Sequence, residues 1–133
     1  MSDEEKYSYW LEYAEYDLQT AGDMFATGRW MYVVFMCQQA IEKLVKGLYL
    51  LYNDDDVPRT HDISSVISRF MDKLPQPVSD ERLAFFRRLS SYYLNTRYPE
   101  YKERLNKITN KDMAAALFEQ TKDVFEWLLT LKP

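Results

Sequence analysis

The sequence predicts an all-α fold, an up-and-down helical bundle of about five helices built on a long antiparallel helix hairpin. Three observations carry this. Only three glycines and five prolines interrupt 133 residues. Good helix formers (Ala, Leu, Glu, Lys and Met) recur throughout, and no segment alternates apolar and polar residues in the manner of a strand. A chain of this length forms one domain, spanning residues 1–133, with a single core.

Ser2 followed by Glu5 is a capping-box start. Trp10, Ala14, Asp17, Leu18, Ala21, Met24 and Phe25 then repeat at helical spacing, so the first helix runs to about Ala26. Thr27-Gly28 breaks it, and a second helix runs from about Arg29 to Tyr52. Asn53 to Pro58 is a polar turn, after which Thr60 is expected to cap a short third helix carrying Ile63, Val66, Ile67 and Phe70. Leu74-Pro75-Gln76-Pro77 stops that helix. Ser79 opens a fourth, whose stripe of Leu83, Phe86, Leu89 and Tyr93 extends to near Asn95. Thr96 to Asn110 reads as irregular, with Pro99 as a breaker. Thr109 with Asp112 reads as a second capping box for a final helix from Met113 to Leu131.

Within the second helix, Gln38-Gln39-Ala40-Ile41-Glu42-Lys43-Leu44-Val45-Lys46 forms a charged island in an apolar run. At about 100° per residue, Gln39, Glu42, Lys43 and Lys46 share one side, and Cys37, Ala40, Ile41, Leu44, Val45 and Leu48 share the other. The polar side continues as Tyr32, Phe35 and Met36 before the island and Leu50 after it. Such a face is expected to pack against a second copy or a partner chain, which makes these four the candidate dimer interface and sets the polar patch in a cleft. The bland alternative is a surface Glu42–Lys46 ion pair worth about 0.3–0.5 kcal/mol.

A net charge of −4 argues against non-specific wrapping of nucleic acid, yet a local basic cleft can still attract phosphate. Lys43 and Lys46, Arg87 and Arg88, and Arg97 with Lys102, Arg104 and Lys107 form the candidate positive surface. His61, the one histidine, sits at a helix entrance. It either fastens the turn or exchanges a proton near a phosphate, a role its ordinary pKa of about 6.5 suits. Tyr92 to Tyr101 interleaves tyrosines with Arg97, a pattern that can stack a base and hold a phosphate or can be plain packing. Arg97 could equally pair with Glu42. Asp54-Asp55-Asp56 lacks the spaced carboxylates of a metal loop, so no metal site is expected. The lone Cys37 lies on the core stripe as an inert thiol. With no basic start followed by an apolar run, and no apolar stretch near about 20 residues, the expectation is a cytoplasmic protein without signal peptide or membrane span.

Trp10 to Ala14 with Asp17, Leu18 and Ala21, the Gln38–Lys46 island, Thr60-His61-Asp62, and Arg97-Tyr98-Pro99, in that order, make the chain resemble the HEPN domain family over nearly its whole length. The resemblance implies an up-and-down bundle, usually a homodimer, often encoded beside a minimal nucleotidyltransferase in a toxin–antitoxin-like pair. It also implies nucleotide or RNA as ligand, with no cofactor. Gln39, Glu42, Lys43, Lys46, Arg97, Tyr98 and His61 are the candidate ligand-binding residues.

Many members of that family are metal-independent ribonucleases with an arginine followed, after four to six residues, by a histidine. Here the positions before His61 at that spacing are Asp54, Asp55 and Asp56, and those after Arg97 are Lys102, Glu103 and Arg104. The pair is absent, so the expected function is a non-catalytic binding module. The alternatives are a divergent ribonuclease using His61 and Arg97, and a protein-interaction subunit without nucleotide binding.

Overall fold

The computed structural model describes residues 1–93 and 98–133. Among these residues the secondary structure is six α-helices and one 3-10 turn, with no strand. Helices α1 (Asp3–Ala26) and α2 (Trp30–Tyr52) form the long hairpin. The Ser2 hydroxyl accepts from the Glu5 amide while Glu5 accepts from the Ser2 amide, both at 3.1 Å. These bonds to Ser2 hold the Glu5 carboxyl below its ordinary pKa.

The hairpin turn is a Schellman motif. Arg29 N–H donates to Met24 O at 2.8 Å and Gly28 N–H to Phe25 O at 3.2 Å. Gly28 has φ +76°, where a side chain would be strained. Farther along, Gly47 lets the two helices approach: a Cβ there would lie 3.0 Å from Trp10 Cβ and 3.2 Å from Tyr7 Cδ2.

The short α3 (Ile63–Ser68) is followed by the 3-10 turn at Met71–Lys73, then α4 (Asp80–Ser90), α5 (Pro99–Ile108) and α6 (Lys111–Leu129). Four sequence expectations are corrected here. Asp62, not Thr60, caps α3, its carboxylate accepting from the Ser65 amide, while the Thr60 hydroxyl accepts from the Asp62 amide. Helix α4 ends at Ser90, well short of Asn95, which lies outside the described residues.

The stretch read as irregular contains a helix, because Pro99 opens α5 at its first position, where its missing N–H costs nothing. Asn110, not Thr109, caps α6, accepting from the Met113 amide at 2.9 Å. Thr109 instead closes α5.

The core forms around α2, which is buried along most of its length and packs against α1, α3, α4, α5 and α6. A helix apolar on every side is one enclosed on every side. The flank that sequence reasoning leaves for a second chain is partly covered within the chain itself. Leu50 is buried and Tyr32, Phe35 and Met36 are half-buried. The Phe35 ring packs against Tyr93, and the Lys102 ammonium lies 5.3 Å from the Tyr32 ring centre. No described helix is long and apolar enough to cross a membrane.

Candidate functional site

The polar island of α2 is a hydrogen-bonded chain at the centre of the bundle. Gln38, which projects from the same stretch, is fully buried. Its amide donates to Glu42 Oε1 at 2.7 Å, and its carbonyl oxygen accepts from Gln39 Nε2 at 2.7 Å. Glu42 is buried as well, and its second oxygen accepts from Lys46 Nζ at 3.0 Å. Lys43 turns the other way and pairs with Asp17 of α1. The two lysines are therefore each matched by a carboxylate, as removal of charge from water requires. An incoming phosphate meets two neutralised pairs here, not two free cations.

What the island does build is a seat for His61. The segment between α2 and α3 returns across α2 so that His61 Nδ1 lies 3.0 Å from Glu42 Oε1 and 3.2 Å from Oε2. The imidazole stacks on Tyr93 with ring centres 3.6 Å apart and planes 12° from parallel. Carboxylate and ring together fix both the direction and the tilt of the imidazole. The His61 side chain is still 49% exposed, and Nε2 has no partner among the described residues.

In front of it lies a recess of about 360 Å³ lined by His61, Asp62, Ser90, Tyr93, Tyr98 and Tyr101. The Ser90 hydroxyl also accepts from the Ile63 amide at 2.9 Å, locking the start of α3 to the end of α4 behind the recess. Beside it, sharing Tyr93 and Tyr101, is a second recess of about 260 Å³ lined by Tyr92, Leu105, Ile108 and Arg104.

The expected site residues thus divide. His61 and Tyr98 face a common recess, with Glu42 directly behind His61. Lys46 is buried against Glu42, half-buried Gln39 joins the network through Gln38, and Lys43 belongs to a separate pair with α1. Arg97 lies outside the described residues. Sequence reasoning assigns Tyr93 to the apolar stripe of α4. It lies beyond the end of that helix and serves as the platform for His61. Gln38 is legible only as part of the motif, since a buried glutamine and an exposed one look alike in a helical pattern.

The Asp54–Asp56 turn has a structural role in one of its members: Tyr49 donates to Asp55 Oδ1 at 2.6 Å. That bond to Asp55 pushes the Tyr49 phenol above its ordinary pKa. Among the described residues, no three His, Cys, Asp or Glu side chains gather as a metal-binding group. Cys37 is fully buried, and burial pushes its thiol up to about 11, against a smaller opposing effect of Thr121.

The family model described as "HEPN domain" matches residues 7–131. Two solved structures are similar over nearly their whole length. One is TT1696 from Thermus thermophilus, with 21% identity and a TM-score of 0.77, covering 94% of this chain and 97% of that one. The other is ST0689, described as an archaeal HEPN homologue, with 22% identity and a TM-score of 0.74, covering 96% of this chain and 98% of that one. At such identities the likeness speaks for the fold. No curated protein matches the sequence.

Proposed function

The chain belongs to the HEPN domain family, and from that premise we propose that it is a nucleotide- or RNA-binding module, non-catalytic and self-associating, whose ligand sits in the recess in front of His61. One observation carries the reading: His61 is held from behind by Glu42 and from the side by Tyr93, while Nε2 faces outward without a partner among the described residues. A protonated imidazole so held offers Nε2–H to a phosphate oxygen as a charge-assisted hydrogen bond. Tyr98 and Tyr101, both about half exposed, give a base something to stack on. The recess volume suits a ligand of nucleotide size.

Glu42 and Lys46 support the site from within instead of touching the ligand, and Lys43 stands apart from it. Helical periodicity does not separate these roles, because it assigns all three residues to one face. The proposed partners are a second copy of the chain or a minimal nucleotidyltransferase.

Calorimetric titration with AMP and with a short adenine oligonucleotide tests the reading. The expected result is saturable binding that weakens with salt and weakens about tenfold in His61→Ala. Equal affinity in the parent and in His61→Ala overturns it.

The hydrogen bond from His61 to a buried carboxylate also favours a second reading, a divergent ribonuclease, because such a bond orients an imidazole for general acid–base work. Against it stands the missing arginine, since the positions with four to six residues between them and His61 are Asp54, Asp55 and Asp56. Incubation with labelled RNA separates the two: cleavage by the parent chain that disappears in His61→Ala favours the enzyme, and intact RNA in both favours the binding module.

A further inference from the structure

Two exposed stripes that carry tyrosines stand out on the surface, one apart from the site and one at its edge. Tyr9, Tyr13 and Tyr16 of α1 lie at i, i+4 and i+7, on one helix face, with 55%, 44% and 67% of their surface exposed. The Tyr9 and Tyr13 rings already touch, with centres 5.1 Å apart. Apart from Lys6, every charged side chain of α1 is acidic, and Glu12 flanks the stripe.

The second stripe belongs to α5, a helix that buries only Leu105. Its Tyr101 and Ile108 are 46% and 54% exposed and are seven residues apart, the same spacing as Tyr9 and Tyr16. Both stripes therefore extend about 10 Å. Tyr101, Ile108 and Leu105 with Tyr92 and Tyr93 line the smaller recess, in which Arg104 is the one charged side chain. Among the described residues, Arg104 has no carboxylate partner within ion-pair distance.

We infer that the α1 tyrosine stripe of one molecule docks against the α5 recess of a second copy, with Glu12 of the first facing Arg104 of the second. This inference rests on the self-associating part of the proposed function and names its surface. The two stripes match in length, each presents tyrosine, and Glu12 beside the first is opposite in charge to Arg104 beside the second. In a two-fold pair each molecule supplies both stripes, so the contact closes on itself.

With a fully exposed tyrosine presenting about 200 Å², the two stripes supply roughly 500 Å² per molecule and about 1,000 Å² per pair, the size of a weak, concentration-dependent contact. Tyr16, the most exposed of the three, has the form of a knob for the recess. Because that recess shares Tyr93 and Tyr101 with the one in front of His61, the second copy would stand at the rim of the ligand site.

Sedimentation of the full chain over a range of concentrations tests this, using Glu12→Lys, Arg104→Glu and the combined variant. The expected result is a parent dimer, dissociation at least tenfold easier in each single variant, and recovery when both charges are exchanged. Circular dichroism establishes that each variant is folded. A parent dimer that both single variants leave intact overturns the assignment of this surface while self-association stands. A parent that sediments as a monomer at every concentration overturns both.

Discussion

His61 Nδ1 lies 3.0 Å from Glu42 Oε1, joining an exposed imidazole to a carboxylate buried in the central helix. That carboxylate also holds the Gln38 amide and the Lys46 ammonium. The core and the candidate site therefore share one residue, and a change at Glu42 acts on both.

Glu42→Gln removes the negative charge while keeping the side-chain volume. Lys46 then remains buried without its counter-ion, and loss of one partner of a buried pair costs about 3 kcal/mol. Urea unfolding should show a lower midpoint of that order. His61→Ala, which removes a half-exposed ring, should cost less than half as much.

Tyr93→Ala should loosen His61 without unpairing the buried charges, because the ring supports the imidazole through stacking alone. Nucleotide affinity should fall by up to about tenfold, in keeping with about 0.5–1.5 kcal/mol for a stacked pair of rings. Stability should fall less than in Glu42→Gln. Titration and thermal unfolding of the same preparation measure both.

Cys37 gives a prediction in pH. Its thiol rises from 9.0 to about 11 in the folded chain, through burial, so the folded state resists ionisation that the unfolded state permits. For a folded pKa that is raised, this contribution is fully present below about pH 9 and is lost as pH rises toward about 11. A thiol reagent at about pH 8, below that window, should react with Cys37 only on unfolding, and unfolding midpoints should decline across the alkaline range. Rapid labelling of the native chain under the same conditions would contradict the burial.

Gly47→Val places a branched side chain where even a Cβ would be 3.0 Å from Trp10 Cβ. Overpacking of this kind costs about 1–3 kcal/mol. The expected outcome is a lower Tm with helical content retained, measured by circular dichroism. A rise in Tm would mean that α1 and α2 can move apart freely.

The hairpin is legible in the sequence because its signals are local: a capping box at Ser2, a glycine at 28 and a long apolar period on each side. Helix α5 is not, since Pro99 is the same letter whether it opens a helix or breaks one, and a helix that buries only Leu105 has almost no apolar stripe. The caps at Asp62 and Asn110 differ from the expected ones by one or two residues because neighbouring Thr60 and Thr109 have similar side-chain chemistry. The polar island stands out in the sequence, but periodicity gives the face of a helix and not the cover over that face. Which carboxylate each lysine meets depends on Asp17, twenty-six positions before Lys43, and on where the chain returns with His61.

The most direct measurement is nitrogen-15 NMR of the His61 imidazole during titration with AMP. The Nε2 resonance should move saturably with added nucleotide while Nδ1 keeps the signature of its bond to Glu42. An Nε2 resonance that stays in place while the nucleotide binds elsewhere, or no binding at all, would contradict the account.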